Sequence, residues 1–191
     1  SQGDTVICQS FTFIGSCNPV IYEKGSLIFV DSEKDTWNMC PKSLKKALED
    51  CKKRSITPKA IIVVHLYGMP AKMDEILKVA SAFNVPVVED AAEALGSKIN
   101  GVPCGSFGRL SILSFNGNKI ITTSGGGALL SNNDRDITEA NFLSTQAKEN
   151  RPFYEHKKLG YNYKLSNILS SIGVEQLKVL TKRVKKRREN Y

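Results

Sequence analysis

Short apolar runs alternate with longer amphipathic stretches along this chain. The run Ala60–Val64 is too short for a helix and rich in β-branched residues, so it predicts a buried parallel strand. Similar runs predict further strands at residues 5–8, 27–30, 86–89, 110–114 and 128–131. Because strands that alternate with helices form βαβ units, the pattern predicts an α/β fold with a mostly parallel central sheet flanked by helices.

The amphipathic stretches predict the helices of this fold. Pro41 is favourable in a first helical turn, and Leu44, Leu48 and Cys51 recur at helical spacing until about residue 54. Other helices are predicted at residues 12–22, 71–83 and 134–145, and a last one from residue 166 to the end of the chain. The pattern indicates one α/β domain over residues 1–165, followed by a trailing helix over residues 166–191.

The formal net charge of +8 is concentrated near one end of the chain. Residues 178–189 carry seven basic residues and one acidic residue, which leaves 20 basic and 18 acidic residues elsewhere. A basic tail can bind nucleic acid through phosphate contacts, and a nucleic-acid-binding module is therefore one alternative function. We expect no nucleic acid partner, because Val174, Leu177, Leu180 and Val184 continue at helical spacing, as in a packed helix with a solvated basic face.

The cysteines and the apolar runs indicate in which cellular compartment the protein is expected. The five cysteines form no C-x-x-C pair and no zinc-type cluster with histidine, which favours a reduced, cytoplasmic setting without a metal site. No apolar run approaches the length of a membrane span, and the start lacks the blocks of a signal peptide, so we expect no membrane partner. The chain opens with Ser-Gln-Gly and closes within a helical pattern, which suggests a fragment.

An acidic pair, Glu89 and Asp90, follows the apolar strand at residues 86–89. In open α/β sheets, ligands bind beyond the carboxyl ends of the strands. Asp90 does not suit an apolar layer, so it should face either solvent or a cationic partner such as a protonated heterocycle. On this segment alone, the alternative is that Asp90 caps a following alanine-rich helix.

A lysine follows the end of another predicted strand. Lys119 lies five residues after Ser114, on a loop that Gly117 leaves free to bend. Serine hydroxyls and loop amides suit a phosphate, whereas a deprotonated lysine amine suits an aldehyde. The glycines at residues 125–127 lack the spacing of the known phosphate-binding loops, so they add little by themselves.

Three segments together resemble the signature blocks of the DegT/DnrJ/EryC1/StrS sugar aminotransferases. They are residues 89–96 (Glu-Asp-Ala-Ala-Glu-Ala-Leu-Gly), 114–119 (Ser-Phe-Asn-Gly-Asn-Lys) and 160–167 (Gly-Tyr-Asn-Tyr-Lys-Leu-Ser-Asn). Residues 10–16 (Ser-Phe-Thr-Phe-Ile-Gly-Ser) are similar to a further block, and the order and spacing also match. The resemblance implies that residues 1–165 are the large domain of a fold-type I pyridoxal phosphate (PLP) aminotransferase and that residues 166–191 lead to a small C-terminal domain.

The resemblance also implies roles for the matched residues. Lys119 would bind PLP covalently and later move a proton between substrate and cofactor, and Asp90 would pair with the pyridine nitrogen. The other implied cofactor contacts are Phe13 and Ala92 on the two ring faces, Glu93 near the ring hydroxyl, Ser114 at the phosphate, and Asn162 at the phosphate of a neighbouring subunit's cofactor. The last contact implies a homodimer.

Several of these assignments have a plainer alternative. Phe13 could be a core residue, Ala92 a helix residue, and Glu93 a solvated acid. His65, His156 and Asn116 are candidates for contact with the substrate. For each histidine, a structural role with its hydrogen bonds satisfied is the alternative.

The implied reaction is a transamination in two stages. An amino donor, glutamate by family habit, leaves its nitrogen on the cofactor, and a nucleotide-linked keto-sugar then takes it up. Residues 116–127 and 154–156 look closest to enzymes of the bacillosamine type, which aminate a UDP-4-keto-6-deoxy-N-acetylhexosamine, and such products serve surface polysaccharide or glycan biosynthesis.

The sequence departs from the family pattern in four ways. The family's N-terminal segment and C-terminal small domain are not here, so an incomplete or inactive fragment of such an enzyme is an alternative. Lys164 stands where the family usually has arginine, and the glycine run lacks a glutamate that many members carry. A dehydratase with the same fold and cofactor would have histidine in place of the lysine, so Lys119 argues against it.

Overall fold

Parallel strands form the centre of the first part of the chain in the computed structural model, which describes residues 2–191. The strands of this part are β1 (Thr5–Gln9), β2 (Ser26–Val30), β3 (Ala60–Val64), β4 (Val87–Asp90), β5 (Lys98–Ile99), β6 (Val102–Pro103) and β7 (Leu110–Ser114). Five of them pair in parallel in the order β2-β1-β3-β4-β7, whereas β5 and β6 form a separate antiparallel hairpin. The α/β fold with a mostly parallel sheet is therefore confirmed.

Helices connect the parallel strands and supply much of the core. They are α1 (Asn18–Tyr22), α2 (Pro41–Lys53) and α3 (Met73–Ala82). The buried face of α2 carries Leu44 and Leu48, and that of α3 carries Ile76, at helical spacing. Burying each such side chain contributes about 1.5–3 kcal/mol, so these faces fix the two helices against the sheet.

The chain divides into two compact units. The first extends to Leu113, and the second runs from Ser114 to Tyr191. The division at residue 165 that the sequence suggests is a different boundary, and it stays a prediction.

The second unit contains one strand and three helices. They are β8 (Gly127–Leu130), α4 (Asp134–Ser144), α5 (Asn167–Lys178) and α6 (Leu180–Glu189). The Asn133 side chain caps α4 by accepting from the Arg135 amide at 3.0 Å, and the Ser166 hydroxyl caps α5 by accepting from the Leu169 amide at 3.3 Å. Over residues 2–191, no helix has both the length and the apolar character needed to cross a membrane.

Two predicted helices differ from the structure. Instead of one helix at residues 12–22, a 3-10 turn at Ile14–Ser16 precedes α1. Pro19 prevents a longer helix, because it has no amide hydrogen and because its ring would clash with the carbonyl of Gly15 inside a continuous helix. The last helix is interrupted at Val179, which has φ −102° and ψ 3°, so that α5 and α6 are separate helices.

Candidate functional site

The end of β4 places two carboxylates on opposite faces of the sheet, because neighbouring side chains of a strand alternate in direction. Glu89 is fully buried. Its Oε1 accepts from the amides of Phe107 (2.6 Å) and Gly108 (2.7 Å) and from the Ser111 hydroxyl (3.0 Å). Its Oε2 accepts from the Gly105 amide (2.8 Å) and lies 2.9 Å from His65 Nε2. Glu89 therefore organises the loop between β6 and β7.

These hydrogen bonds determine the charge of Glu89. Burial alone would raise the pKa of its carboxyl group, but the bonds from His65 and from the amides of Gly108, Gly105 and Phe107 outweigh that effect and lower the pKa to about 2. Glu89 is therefore ionised at neutral pH. With five hydrogen-bond donors around its charged carboxylate, Glu89 has a structural role. In the sequence it was visible only as the first acid of the pair Glu89–Asp90.

His65 is also fully buried. Its Nδ1 accepts a hydrogen bond from the Ala71 amide at 3.0 Å, so the proton of the neutral ring lies on Nε2, which donates to Glu89. Both ring nitrogens are thus engaged. The expectation that His65 approaches the substrate is corrected on this ground, and the structural alternative describes this residue.

Asp90 lies on the other face and has a different environment. It is 7% exposed, its Oδ2 accepts from the Ser16 hydroxyl at 2.6 Å, and its Oδ1 accepts from the Ala92 amide at 3.1 Å. Ser16 is itself buried and lies 2.8 Å from the Thr12 hydroxyl. A carboxylate can accept about four hydrogen bonds, so Asp90 keeps capacity for another donor, such as a protonated ring nitrogen. The residues of the first unit therefore fit that end of PLP.

The segment after Asp90 forms turns instead of a helix. The two alternatives that required a helix, with Asp90 as its cap and Ala92 inside it, are therefore wrong. The Asp90 carboxylate instead accepts from the Ala92 amide two residues later, which fixes the first turn.

Glu93 and Phe13, two further candidates of the first unit, are both exposed. The Glu93 carboxylate accepts a hydrogen bond from the Tyr67 amide at 2.8 Å. The backbone of Gly68 lies close to Glu93, because a Cβ atom at Gly68 would be 2.8 Å from the Glu93 carbonyl oxygen. Tyr67 has φ 52°, a left-handed conformation that is uncommon for a bulky residue. Phe13 is 79% exposed, so it is not a core residue, and its ring is accessible to a ligand.

The remaining candidates belong to the second unit. Lys119 is half-buried, and its amide donates to the Asn116 carbonyl at 3.0 Å, which forms a turn. The Asn116 amide is 3.3 Å from the Ser114 hydroxyl, so these three residues share one loop. The loop is closed by two bonds of 2.9 Å, from the Phe115 amide to the Gly126 carbonyl and from the Thr123 amide to the Phe115 carbonyl.

Asn162 and His156 lie on the segment between α4 and α5. Asn162 forms an isolated bridge with Thr145, and His156 forms one with Lys148. The His156 ring is exposed, and its Nδ1 is 2.9 Å from the Gln146 carbonyl oxygen. Both residues therefore have a defined backbone position and side chains that are open to solvent.

Two residues of this site were missed in the sequence. The orientation of Glu89 could have been inferred, because side chains in a strand alternate in direction and Glu89 must therefore point to the face opposite Asp90. Ser16 gave no signal of its own, because its contact with Asp90 joins residues 74 positions apart.

The class of protein follows from these features. The first unit has a parallel α/β sheet with a buried carboxylate of spare acceptor capacity at a strand end, and the second unit carries a lysine on a glycine-bearing loop. Each of these features is typical of PLP-dependent aminotransferases. The model of the DegT/DnrJ/EryC1/StrS aminotransferase family matches residues 1–191. The chain belongs to this family.

Relatives with known sequences and structures agree with this assignment. The chain is 56% identical over 187 residues to the putative pyridoxal phosphate-dependent aminotransferase EpsN of Bacillus subtilis (strain 168), covering 98% of this chain and 48% of the relative. It is 38% identical over 189 residues to the GDP-perosamine synthase of Escherichia coli O157:H7, covering 99% and 50%. The crystal structure of a family member from Brucella abortus superimposes with a TM-score of 0.89 at 30% identity, covering 94% of this chain and 48% of that one.

The chain thus spans about half of the length of the relatives that it matches. The cofactor of the family is PLP.

Proposed function

We propose that this chain is the PLP-binding part of an aminotransferase that transfers an amino group from glutamate to a nucleotide-linked keto-sugar. The observation that carries the proposal is Asp90, which is buried at a strand end and accepts two hydrogen bonds where a carboxylate can accept about four. Membership of the aminotransferase family supports it.

Each candidate residue has its own proposed role toward the cofactor. Bound PLP supplies an aldehyde and a ring that withdraws electrons. Asp90 holds a proton on the pyridine nitrogen, because its negative charge favours the protonated ring. Lys119 would bind the cofactor through Nζ and would then move a proton between a carbon of the substrate and a carbon of the cofactor. Phe13 and Ala92 would enclose the ring, Glu93 would lie near its hydroxyl, and Ser114 would contact the phosphate.

The finer proposals concern substrate and assembly. The sugar acceptor is a UDP-4-keto-6-deoxy-N-acetylhexosamine of the bacillosamine type, a proposal supported by residues 116–127 and 154–156. His156 and Asn116 contact this substrate, and Asn162 reaches the cofactor phosphate of the second subunit of a homodimer. The product serves surface polysaccharide or glycan biosynthesis in the cytoplasm, where the free cysteines of this chain stay reduced.

Covalent labelling tests the cofactor assignment. Full-length protein is mixed with PLP, reduced with borohydride, digested and mapped by mass spectrometry. We expect a visible absorption band before reduction and the label on Lys119 after it. Lys119→Ala should lose both signals, whereas Lys98→Ala, which removes an exposed lysine from the β5–β6 hairpin, should keep them. A label on another lysine, or no band, contradicts the proposal.

A second experiment tests the substrate. Nitrogen-15-labelled glutamate is supplied together with either the UDP-linked 4-keto sugar or a GDP-linked 4-keto sugar, since one relative is a GDP-perosamine synthase. We expect the label in the UDP-sugar product. Transfer only to the GDP sugar would overturn the UDP proposal and keep the aminotransferase. Cofactor binding without transfer to either sugar would favour a protein that has lost its activity.

A further inference from the structure

The loop that carries Lys119 is supported within the second unit by the C-terminal helices. Its own bonds join Phe115 to Gly126 and Thr123 to Phe115, and the Thr122 hydroxyl adds a bond of 3.1 Å to the Phe115 carbonyl. Ile121 and Thr123 are buried. These contacts fix the part of the loop after Ile120, whereas residues 116–118 are exposed.

The carbonyl of Ile120, the residue that follows Lys119, has a partner far along the chain. Arg183 of α6 donates to it from a guanidinium nitrogen at 3.0 Å, across 63 residues of sequence. Arg183 is half-buried, whereas its neighbour Lys182 is exposed. A guanidinium that donates to a carbonyl from a partly buried position makes a charge-assisted hydrogen bond, which is stronger than a neutral one.

A second contact brings the preceding helix to the same loop. Gly173 of α5 is buried, and a Cβ atom at this position would lie 3.1 Å from Cγ2 of Thr123. The helix therefore passes so close to the loop that a side chain would press on it. The C-terminal helices thus support the loop at two points, Thr123 and Ile120.

We propose that Arg183 is a positioning residue for Lys119, an inference that rests on the proposed covalent role of this lysine. The amine of Lys119 has to approach its partner carbon from a defined direction, and small displacements of a reacting group slow catalysis strongly. Because the Arg183 bond restrains the peptide group next to Lys119, it limits the range of directions in which the lysine side chain can extend. The basic helix α6 then serves the reaction through one arginine.

The test compares Arg183→Met, which keeps a long side chain without donors, with Arg183→Lys, which keeps one donor group. Lys182→Met is the matched control, because it removes the same charge from the exposed neighbouring position. In the full-length protein without cofactor, we expect amide hydrogen exchange at Thr123 and Phe115 to accelerate about tenfold in Arg183→Met. Exchange should accelerate less in Arg183→Lys and remain unchanged in Lys182→Met. Amides of β3 in the first unit serve as the internal reference.

Readouts on the cofactor-loaded protein separate positioning from mere stability. In Arg183→Met we expect kcat to fall about tenfold at an unchanged KM for the amino donor, and the visible circular dichroism of the bound cofactor to change. Arg183→Lys should recover part of both. Unchanged exchange and dichroism in Arg183→Met would overturn the proposal, and so would an equal effect of Lys182→Met. Failure of labelling at Lys119 would instead overturn the proposed function. The two failures can be told apart, because the exchange experiment needs no cofactor.

Discussion

The two units hold their candidate residues by different means. In the first, Asp90 is at the end of a strand within a buried parallel sheet, next to a fully buried glutamate with five hydrogen-bond donors. In the described part of the second, the buried apolar side chains are those of Ile121 and Ala147, and Lys119 lies on a loop. Core packing thus fixes the carboxylate, whereas a small number of specific contacts fix the lysine. The loop of the second unit should therefore respond to local substitutions that leave the first unit unchanged.

The largest effect that would test this comparison is expected for Glu89→Gln. Whichever way the amide is oriented, its nitrogen faces at least two hydrogen-bond donors, which leaves buried groups unsatisfied. We expect the first unit to lose about 3 kcal/mol of unfolding free energy. Trp37, the one tryptophan of the sequence, lies in this unit and reports urea unfolding by fluorescence. A loss no larger than that of Glu49→Gln, on the surface of α2, would contradict this account.

The stability of the first unit should depend on pH through the carboxyl group of Glu89. The pKa of Glu89 is about 2 in the folded protein, below its ordinary value of 4.5. Its contribution to stability is therefore fully present above about pH 4.5 and is lost as the pH falls towards about 2. The urea midpoint of the wild type, followed through Trp37, should fall across this range. The difference between wild type and Glu89→Gln should shrink in parallel, and a constant difference would count against the charged state of Glu89.

An intermediate effect, confined to the second unit, is expected for Gly126→Ala. Gly126 has φ +88°, and an added Cβ atom would lie 2.5 Å from Cδ1 of Leu165. The left-handed conformation alone costs roughly 1–2 kcal/mol for alanine. Hydrogen exchange of the Phe115 amide, which donates to Gly126, should accelerate accordingly, while Trp37 fluorescence reports an unchanged first unit. Gly125→Ala is the control, because nothing lies within 4 Å of its Cβ position. Equal effects of the two substitutions would argue against a conformational cause.

The smallest effect is expected for Lys158→Met. Lys158 and Glu139 form an ion pair at 2.7 Å, but both side chains are more than half exposed. Exposed pairs contribute at most about 1 kcal/mol, and salt screens them. Hydrogen exchange in the second unit should therefore change by at most about fivefold, and added salt should remove the difference. A change as large as that of Gly126→Ala would mean that surface charges, and not backbone geometry, hold this unit together.

The strands and the longer helices were predictable because local patterns determine them. Ala60–Val64 and Leu110–Ser114 occupy the predicted positions, and α2 begins at the predicted Pro41. The β5–β6 hairpin was not predicted, because its strands are two residues long and contain no hydrophobic period. The prediction of one helix at residues 12–22 was wrong, because Pro19 cannot lie inside a continuous helix whatever the apolar spacing around it.

By itself, the sequence determined the order of strands and helices, the strand end that carries Asp90, and the loop that carries Lys119, since periodicity, glycine and proline act over a few residues. Tertiary structure decided the hydrogen bonds. The five donors around Glu89, the Ser16 hydroxyl on Asp90 and the Arg183 bond to Ile120 join positions that are 16 to 74 residues apart. Such contacts form only when the folded chain brings distant polar groups into a shared environment with little water, and no local pattern records which groups will meet.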